Sequence, residues 1–390
     1  MRIAYVSADR GIPVFGEKGA SIHIQEMMRA FVTVGHDVRA LTARRGDGDG
    51  QGLWVEEVPQ TGSGADRADK ERAAMRQAEA IEARLMSLYR EWPFDMIYER
   101  YSLWSAAGVR AARRLGLPVV TEVNAPLVME QAAFRSLVCD AEARALEAEV
   151  LAGSTALAAV SSQVAEYLVC AGAASGRVHV IGNAVDTRHF RPDVPPAEVA
   201  GIPDNAFVVG FTGSLKMWHG VDTLLEAFRL FRAVEPRAHL LICGDGPKAG
   251  WIEGFVAGAT LGEAVTLAGW VDHARLPSLI ARMDVATAPY PVSDTHYFSP
   301  LKLYEYLAVG SPVLASDIGQ TAELLAGSEA AILLPPGDAG ALARGMADLC
   351  ADPVRRRVMS MAAADLGRRH DWTDNARRVV ALAGLRTVAA

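Results

Sequence analysis

The sequence predicts an α/β protein with two doubly wound parallel sheets, each in its own domain, that face each other across a cleft. Short apolar segments alternate with amphipathic segments along the chain, which is typical of parallel strands covered by helices on both faces. The chain has 390 residues, of which 51% are hydrophobic, and this length favours two hydrophobic cores over one. Several prolines within residues 192–196 separate the two halves.

Apolar runs bounded by turn residues predict six strands in the first half and five in the second. They lie at residues 3–7, 37–41, 96–98, 118–123, 156–160 and 178–181, then at 208–212, 239–243, 265–267, 285–288 and 312–315. The predicted domains are 1–190 and 197–371, both Rossmann-like. A last helix over 372–390 either caps the second domain or crosses back to the first. Because open α/β sheets bind ligands beyond the carboxyl ends of their strands, a site is expected between the domains.

Bulk composition excludes some classes of function. The net charge of −7 argues against nucleic-acid binding. The four cysteines have no metal-binding spacing, which predicts free thiols. The chain begins with a strand-like segment and has no long apolar run, so we expect a cytoplasmic protein whose membrane contact, if any, is peripheral. Arg110, Arg113 and Arg114 form a basic helix face that is more often solvated than lipid-bound.

The run FSPLKLYEY at residues 298–306 is the most informative segment. Ser299 suits a helix cap and Pro300 suits the first helical position, so we expect a helix that starts at Pro300 and ends at Gly310. The helix amino terminus and Lys302 would bind a diphosphate, and Glu305 would accept two neighbouring ribose hydroxyls. The alternative is an ordinary surface ion pair between Lys302 and Glu305. The candidate residues of this segment are Tyr297, Phe298, Ser299, Pro300, Leu301, Lys302 and Glu305.

Two glycine-containing loops follow strands in the second half. Gly213, Ser214, Lys216 and His219 precede a helix that opens at residue 221, and small residues beside two potential cations suit a leaving diphosphate. A helix cap with a chance lysine and histidine is the alternative. Gly244 and Asp245 belong to a tight turn expected beside a base or ribose, although a purely structural glycine is the commoner role.

The candidate residues of the first domain follow strands in the same way. Gly19, Ala20 and His23 would begin a helix against the cleft, and Asn124 ends a later strand where it could bind sugar hydroxyls. Asp47 and Asp49 spell an acidic triplet with Gly48, which predicts a solvated turn rather than a metal site. We therefore expect no metal.

In order along the chain, these segments resemble family 4 glycosyltransferases, which have the GT-B fold. The resemblance spans nearly the whole chain and is carried by residues 16–21, 159–161, 180–186, 211–214, 244–247, 268–271 and 300–305. It implies a retaining, metal-independent enzyme without a cofactor. The nucleotide-sugar would bind in the second domain and the acceptor mainly in the first.

Several positions depart from the family pattern. Tyr297 occupies the place of the first of two glutamates, of which Glu305 is the second. Ser214 and His219 stand where the family has an arginine and a lysine, and Asn124 replaces a histidine. The combination of WHG at residues 218–220 with FSPLKLYEY suggests a subgroup with the same fold.

The expected mechanism needs no protein nucleophile. Lys216, His219 and Lys302 would stabilise charge on the leaving diphosphate. UDP is favoured only because it is common in such enzymes, and the acceptor could be a glycan, a lipid-linked sugar or a small natural product. Two alternatives are a non-catalytic nucleotide-sugar-binding protein and a nucleotide-dependent epimerase or dehydrogenase. The latter lacks the expected GxGxxG motif after a first strand.

Overall fold

The computed structural model describes residues 1–385 except 49, 51, 61 and 63. The chain forms two compact units. The first comprises Met1–Asn183, Tyr297–Ser299 and the chain from Trp372 onward, and the second comprises Ala184–His296 and Pro300–Asp371. Both units are doubly wound α/β structures, as the alternation of apolar and amphipathic segments predicts.

The first unit is a parallel sheet covered by helices. Its elements are β1 (Arg2–Ser7), α1 (Gly19–Thr33), β2 (Asp37–Thr42), β3 (Trp54–Glu57), α2 (Arg67–Glu91), β4 (Met96–Arg100), α3 (Ala107–Leu115), β5 (Val119–Val123), α4 (Leu127–Phe134), α5 (Asp140–Gly153), β6 (Ala156–Ala159), α6 (Ser162–Cys170), β7 (Val178–Val180) and α14 (Trp372–Leu382). Over its described residues the sheet has the strand order β3-β2-β1-β4-β5-β6-β7.

The second unit repeats this architecture. Its elements are β8 (Phe207–Thr212), α7 (Val221–Arg232), β9 (Ala238–Cys243), α8 (Ala249–Gly258), β10 (Val265–Gly269), α9 (Leu276–Ala281), β11 (Val285–Ala288), α10 (Leu301–Val309), β12 (Val313–Ser316), α11 (Gly319–Leu325), β13 (Ala331–Leu334), α12 (Ala339–Ala351) and α13 (Pro353–Gly367). The strand order is β10-β9-β8-β11-β12-β13, with all pairs parallel.

In each sheet the strand order reverses at the first strand of that unit, β1 or β8. In the second unit β8 lies between β9 and β11, so the loops after β8 and β11 diverge there and leave room for a ligand. Every residue of β8 and of β11 is buried, because helices cover both faces. The carboxyl end of β8 is therefore fixed by the core.

The compact units divide at residue 183, whereas the sequence analysis placed the domain boundary at residue 190. The first unit ends at Asn183, and the following segment packs into the second unit. The backbone N–H of Val185 donates to His370 O at 2.9 Å, and the ring of Phe190, 1% exposed, contacts the ring of His273 with centroids 5.1 Å apart. The proline-containing residues 192–196 also lie within the second unit rather than between units.

The last helix, α14, returns to the first unit. Asn375 Nδ2 donates to Gly182 O at 2.8 Å, and the Trp372 ring meets the His23 ring edge-on at 4.9 Å. Of the predicted span 372–390, residues 386–390 lie outside the described residues.

Two strands, β3 and β13, were not predicted, and α10 begins one residue later than expected. Pro300 has an extended backbone (φ −80°, ψ 113°) and precedes the helix. Gly310 ends the helix with φ 83°, as predicted.

The basic face predicted on α3 is neutralised by neighbouring helices. Arg110 forms two hydrogen bonds with the Glu149 carboxylate, and Arg114 lies 3.1 Å from Glu82. Within the described part of the chain, no helix is both long enough and apolar enough to cross a membrane.

Candidate functional site

The candidate site lies at the carboxyl end of β8 in the second unit. The loop Gly213–Gly220 follows β8, Tyr290 follows β11, and α10 brings Lys302 and Glu305 towards them. These elements surround the point where the strand order reverses, which is the usual ligand position in such sheets.

Lys302 is the distinctive side chain of this site. It is only 7% exposed, and its Nζ has no hydrogen-bond partner among the described residues. Nζ lies 3.8 Å from the centroid of the Phe211 ring and 5.8 Å from that of Tyr290. Burial lowers the pKa of Lys302 to about 7, an effect that the Glu305 carboxylate partly opposes. Lys302 is therefore not the surface ion pair of the alternative interpretation.

The glycines beside Lys302 permit a close approach. Gly213 has φ 126°, and a Cβ there would lie 3.0 Å from Lys302 Nζ. Gly244 packs against the same loop, where a Cβ would lie 1.9 Å from Gly213 O. Larger residues would crowd the ammonium group or separate the two loops. Packing alone therefore favours glycine at these two positions, whether or not a ligand binds.

His219 does not supply the positive charge predicted for it. Its Nδ1 hydrogen-bonds Ser214 O and lies 3.4 Å from Ser214 Oγ. A carbonyl oxygen only accepts, so Nδ1 carries the proton. Burial, followed by the charge on Lys302, lowers the pKa of His219 to about 3. The ring is consequently neutral near pH 7, and its Nε2 is an acceptor rather than a donor for phosphate.

The other predicted residues of these loops contribute less to a buried charge. Lys216 Nζ lies 4.8 Å from the centroid of the Trp218 ring, which is 52% exposed. Asp245 Oδ1 accepts from the Gly246 N–H at 2.7 Å and so caps its own turn. The buried cation of this site is therefore Lys302.

Glu305 is held by a histidine that the sequence analysis did not single out. His273 Nε2 donates to Glu305 Oε1 at 3.0 Å. Glu305 is 8% exposed, and its Oε2 accepts no hydrogen bond from a described residue. The carboxylate thus has one oxygen fixed by protein and one available.

Tyr306, the neighbour of Glu305, fixes α10 against β8. Its hydroxyl oxygen accepts from the Thr212 N–H at 2.7 Å and from Thr212 Oγ1 at 3.1 Å. The same hydroxyl donates to Thr287 O at 3.5 Å. Lys302 and Gly213 are consequently held in register by a buried hydrogen-bonded contact.

The predicted loop residues Tyr297, Phe298 and Ser299 belong to the first unit, not with Lys302 in the second. Ser161 Oγ donates to Tyr297 O at 2.5 Å, and the Tyr297 hydroxyl donates to Glu130 Oε1. Ser299 does not cap α10. Its Oγ accepts from the Asn183 N–H at 2.9 Å, because the extended Pro300 turns Ser299 away from the helix.

In the first unit, His23 is buried among polar side chains, and its role towards an acceptor stays a prediction. It is 3% exposed, with Nδ1 2.7 Å from Asn183 Oδ1 and Nε2 2.5 Å from Glu122 Oε1. Arg100 approaches the other Glu122 oxygen at 3.4 Å. Burial raises the pKa of Glu122, but His23 and Arg100 outweigh it and hold the value at about 2.

The other candidates of the first unit are more accessible. Gly19 begins α1 and is exposed, and Ala20 is half-buried. Asn124 is half-buried beside Glu122, whose pKa it helps to lower. Asp49 of the acidic triplet lies outside the described residues.

Two family models match the chain and together span both units. Residues 18–189 match the model described as Glycosyltransferase Family 4, and residues 206–352 match the model described as Glycosyl transferases group 1. The chain is a glycosyltransferase with the GT-B fold. The assignment to the glycosyltransferases rests on matches that span each half of the chain, and not on the role of any single residue.

Related proteins are enzymes of the same kind. The glycogen synthase of Mycobacterium tuberculosis is 24% identical over 292 residues, which cover 73% of this chain and 67% of that protein. The D-inositol 3-phosphate glycosyltransferase of Stackebrandtia nassauensis is 28% identical over 73% of this chain and 66% of its own. The 2-deoxystreptamine glucosyltransferase of Streptomyces kanamyceticus is 27% identical over 69% and 71%, respectively.

Solved structures share the fold of this glycosyltransferase. Anabaena Alr3699/HepE in complex with UDP-glucose superposes with a TM-score of 0.74 at 17% identity, covering 99% of this chain and 100% of that one. Sucrose-phosphate synthase from Thermosynechococcus elongatus has a TM-score of 0.73 at 20% identity, with 98% of both chains covered.

The glycosyltransferase has site residues that sequence reasoning missed. His273 and Tyr306 both hold α10, and Glu122 forms the buried cluster of the first unit with His23. Each acts through a contact between residues far apart in the chain. The sequence offered only two weak indications of them, namely a histidine directly after GWVD at residues 269–272 and a tyrosine next to Glu305.

Proposed function

We propose that the chain is a retaining, metal-independent glycosyltransferase that moves a sugar from a UDP-sugar to a hydroxyl of its acceptor. The observation that carries this proposal is the buried Lys302 Nζ, which has no hydrogen-bond partner among the described residues and lies beside Gly213. A buried unpaired cation is costly unless a ligand anion compensates it. A diphosphate supplies such an anion.

Lys302 also supports metal independence. A transferred diphosphate needs its developing negative charge stabilised, and a preorganised cation in a dry site does this well. Lys302 lies on the first turn of α10 with its ammonium group over the Phe211 ring, in space that Gly213 leaves open. The orphan N–H groups in the first turn of α10 add to the positive potential.

The proposed transfer needs no protein nucleophile. The bond between the sugar C1 and the diphosphate oxygen breaks, and a bond from C1 to the acceptor oxygen forms on the same face. The acceptor proton passes to the departing diphosphate oxygen, so the anomeric configuration is kept. Glu305 binds the donor ribose, while neutral His219 orients the Ser214 carbonyl through Nδ1 and offers Nε2 as an acceptor.

Related proteins support the proposed classes of donor and acceptor. Alr3699/HepE was crystallised with UDP-glucose, which supports a UDP-sugar here. The acceptor belongs to the range of glycans, lipid-linked sugars and small natural products. The similarity to a 2-deoxystreptamine glucosyltransferase supports testing aminocyclitols first.

A thermal-shift screen with UDP, GDP, ADP, dTDP and NAD tests donor binding. A ligand present at about 100 times its Kd adds about 2.7 kcal/mol to the stability of the state that binds it. We expect a shift with UDP that is lost in Glu305→Ala and retained in Glu253→Ala, which changes an exposed glutamate of α8. A shift with NAD alone would favour the dehydrogenase alternative.

Product analysis tests the reaction. With UDP-glucose and an accepted aminocyclitol, NMR of the product should show an α-linkage, and EDTA should leave the rate unchanged. An inverted product or an EDTA-sensitive rate overturns the retaining or metal-independent part of the proposal. Donor binding without transfer or hydrolysis, for every acceptor class, would favour the non-catalytic alternative.

A further inference from the structure

The carboxylate of Glu305 is held in one orientation by a neighbour from another loop. His273 opens a short helical turn, His273–Arg275, four residues after β10, and Asp272 caps that turn by accepting from the Ala274 N–H at 2.9 Å. The turn is therefore rigid. His273 Nε2 reaches Glu305 Oε1 at 3.0 Å across 32 residues of sequence.

The imidazole ring is itself fixed by aromatic packing. Its centroid lies 5.1 Å from that of Phe190 and 6.2 Å from that of His189. His189 Nε2 also lies 3.4 Å from His273 O. Because a carboxylate only accepts, Nε2 carries the proton in this contact. The donor atom and its direction are thus both specified.

The protein uses only part of the hydrogen-bond acceptor capacity of the Glu305 carboxylate. Each carboxylate oxygen accepts about two hydrogen bonds. Oε1 has one site occupied by His273, and Oε2 has no described partner and is not a fully buried atom. The remaining sites on the two oxygens match two neighbouring hydroxyls.

We propose that His273 is a positioning residue that orients the Glu305 carboxylate for the two vicinal hydroxyls of the donor ribose. This inference rests on the proposed function, because it takes Glu305 as the ribose ligand. In this proposal His273 acts on the substrate only through Glu305. Without its N–H the carboxylate would gain rotamer freedom, and that entropy would be lost again on binding.

The test compares His273→Phe with His273→Gln. Phenylalanine keeps the ring against Phe190 but removes the donor, whereas the glutamine Nε2 keeps a donor near the original position. Binding of UDP and of 2′-deoxyUDP is measured by calorimetry, together with the KM and kcat of transfer. His239→Phe is the matched control, because His239 is a buried histidine of β9 whose Nε2 bonds Thr266 Oγ1 at 2.8 Å.

We expect His273→Phe to weaken UDP binding about tenfold, the loss typical of a hydrogen bond to a charged group. The preference for UDP over 2′-deoxyUDP should shrink by a similar factor, and kcat at saturating donor should stay within about twofold. His273→Gln should restore most of the preference. His239→Phe should leave the preference unchanged even if it lowers the melting temperature.

A double-mutant cycle with Glu305→Ala isolates the contact. If His273 acts through Glu305, His273→Phe has no further effect on UDP binding once Glu305 is alanine. Additive losses, or equal weakening of UDP and 2′-deoxyUDP, would overturn the inference in favour of a merely structural role. If the wild-type protein binds no UDP, the proposed function fails as well. Binding with unaltered ribose preference in His273→Phe overturns this inference alone.

Discussion

Each unit contains a buried polar cluster, and the two clusters differ in how their charges are compensated. In the first unit the Glu122 carboxylate is bonded by His23 and approached by Arg100, and Asn183 takes the other nitrogen of His23. In the second unit Lys302 Nζ has no described hydrogen-bond partner and faces the rings of Phe211 and Tyr290. Every charged group of the first cluster has a partner, whereas in the second no described carboxylate is hydrogen-bonded to the ammonium group of Lys302.

We therefore interpret the Glu122 cluster as a structural anchor, that is, a cluster whose role is to stabilise the fold, and the Lys302 cluster as a binding site. In a fully paired cluster, removing one partner leaves a buried charge uncompensated and so destabilises the free protein. An unpaired buried cation weakens the free protein and gains its compensation from a ligand. The stability and activity of variants should therefore diverge between the two units.

The largest expected effect is the loss of transfer in Lys302→Met. Methionine has a similar volume and no charge, so the diphosphate would lose its buried cation. We expect kcat/KM to fall about a thousandfold, as for removal of an essential electrostatic stabiliser. Steady-state assays with UDP-glucose measure this.

Lys248→Met is the matched control for that loss. Lys248 lies on the same unit but already pairs with Asp222 and covers the Trp251 ring. Its replacement should change kcat/KM by less than about twofold. A Lys302→Met enzyme within tenfold of wild type would mean that the unpaired cation does not hold the diphosphate.

The next effect concerns stability in the first unit. Glu122→Gln removes the carboxylate that compensates His23 and Arg100, and we expect the free energy of unfolding to fall by about 3 kcal/mol. Urea titration at pH 7 measures it. Glu56→Gln, which breaks the more exposed pair with Arg84, should cost less than about 1 kcal/mol.

The stabilisation that the Glu122 carboxylate provides should depend on pH. The pKa of Glu122 is about 2 in the folded protein, below its ordinary value of 4.5. The carboxylate therefore contributes its full stabilisation above pH 4.5 and loses it as the pH falls towards 2. The difference between wild type and Glu122→Gln should shrink over the same range. A difference that is small at pH 7 would show that Glu122 is not an anchor.

Features set by neighbouring residues were predicted from the sequence, whereas features set by contacts between distant residues were not. The capping rules predicted the helix that carries Lys302 and Glu305, and Gly310 ends that helix as expected. The ligand-binding roles of Lys302 and Glu305 stay a prediction. The charge state of His219 was not predictable, because its neutrality comes from burial and from Lys302. The pairing of His273 with Glu305 joins residues 32 apart in the chain and has no periodic signal.

The two missed strands both lie at sheet edges, but their sequences differ. Among the described residues β3 pairs with β2 alone, and its residues 54–57 are exposed or half-buried. It therefore lacks the apolar run that identified the central strands. β13 lies at the edge of the other sheet and is half-buried throughout, but its sequence, Ala-Ile-Leu-Leu, is a short apolar run that the sequence analysis did not assign to a strand. Segment Tyr297–Ser299 lies in the first unit because Ser161 and Asn183 hydrogen-bond it there, and contacts between residues more than 100 apart have no signal in the sequence.

The smallest effect is a gain in stability. Lys302→Met replaces a desolvated cation by an apolar group, and we expect the free protein to become more stable by about 1–2 kcal/mol at pH 6.5. Urea titration without nucleotide measures this gain. The same variant should show no thermal shift with UDP, so stability and donor binding change in opposite directions.

The gain in Lys302→Met should depend on pH in one direction. Burial lowers the pKa of Lys302 from 10.5 to about 7. Below pH 7 the ammonium is charged in both folded and unfolded states, so the wild type carries the full penalty. Between pH 7 and 10.5 the unfolded state binds more protons, so the stability of the wild type rises with pH and the advantage of the variant shrinks. A variant that is less stable than wild type at pH 6.5, or whose advantage is the same at pH 9, would mean that Lys302 is already compensated in the free protein, as Glu122 is, and the contrast between the two clusters would disappear.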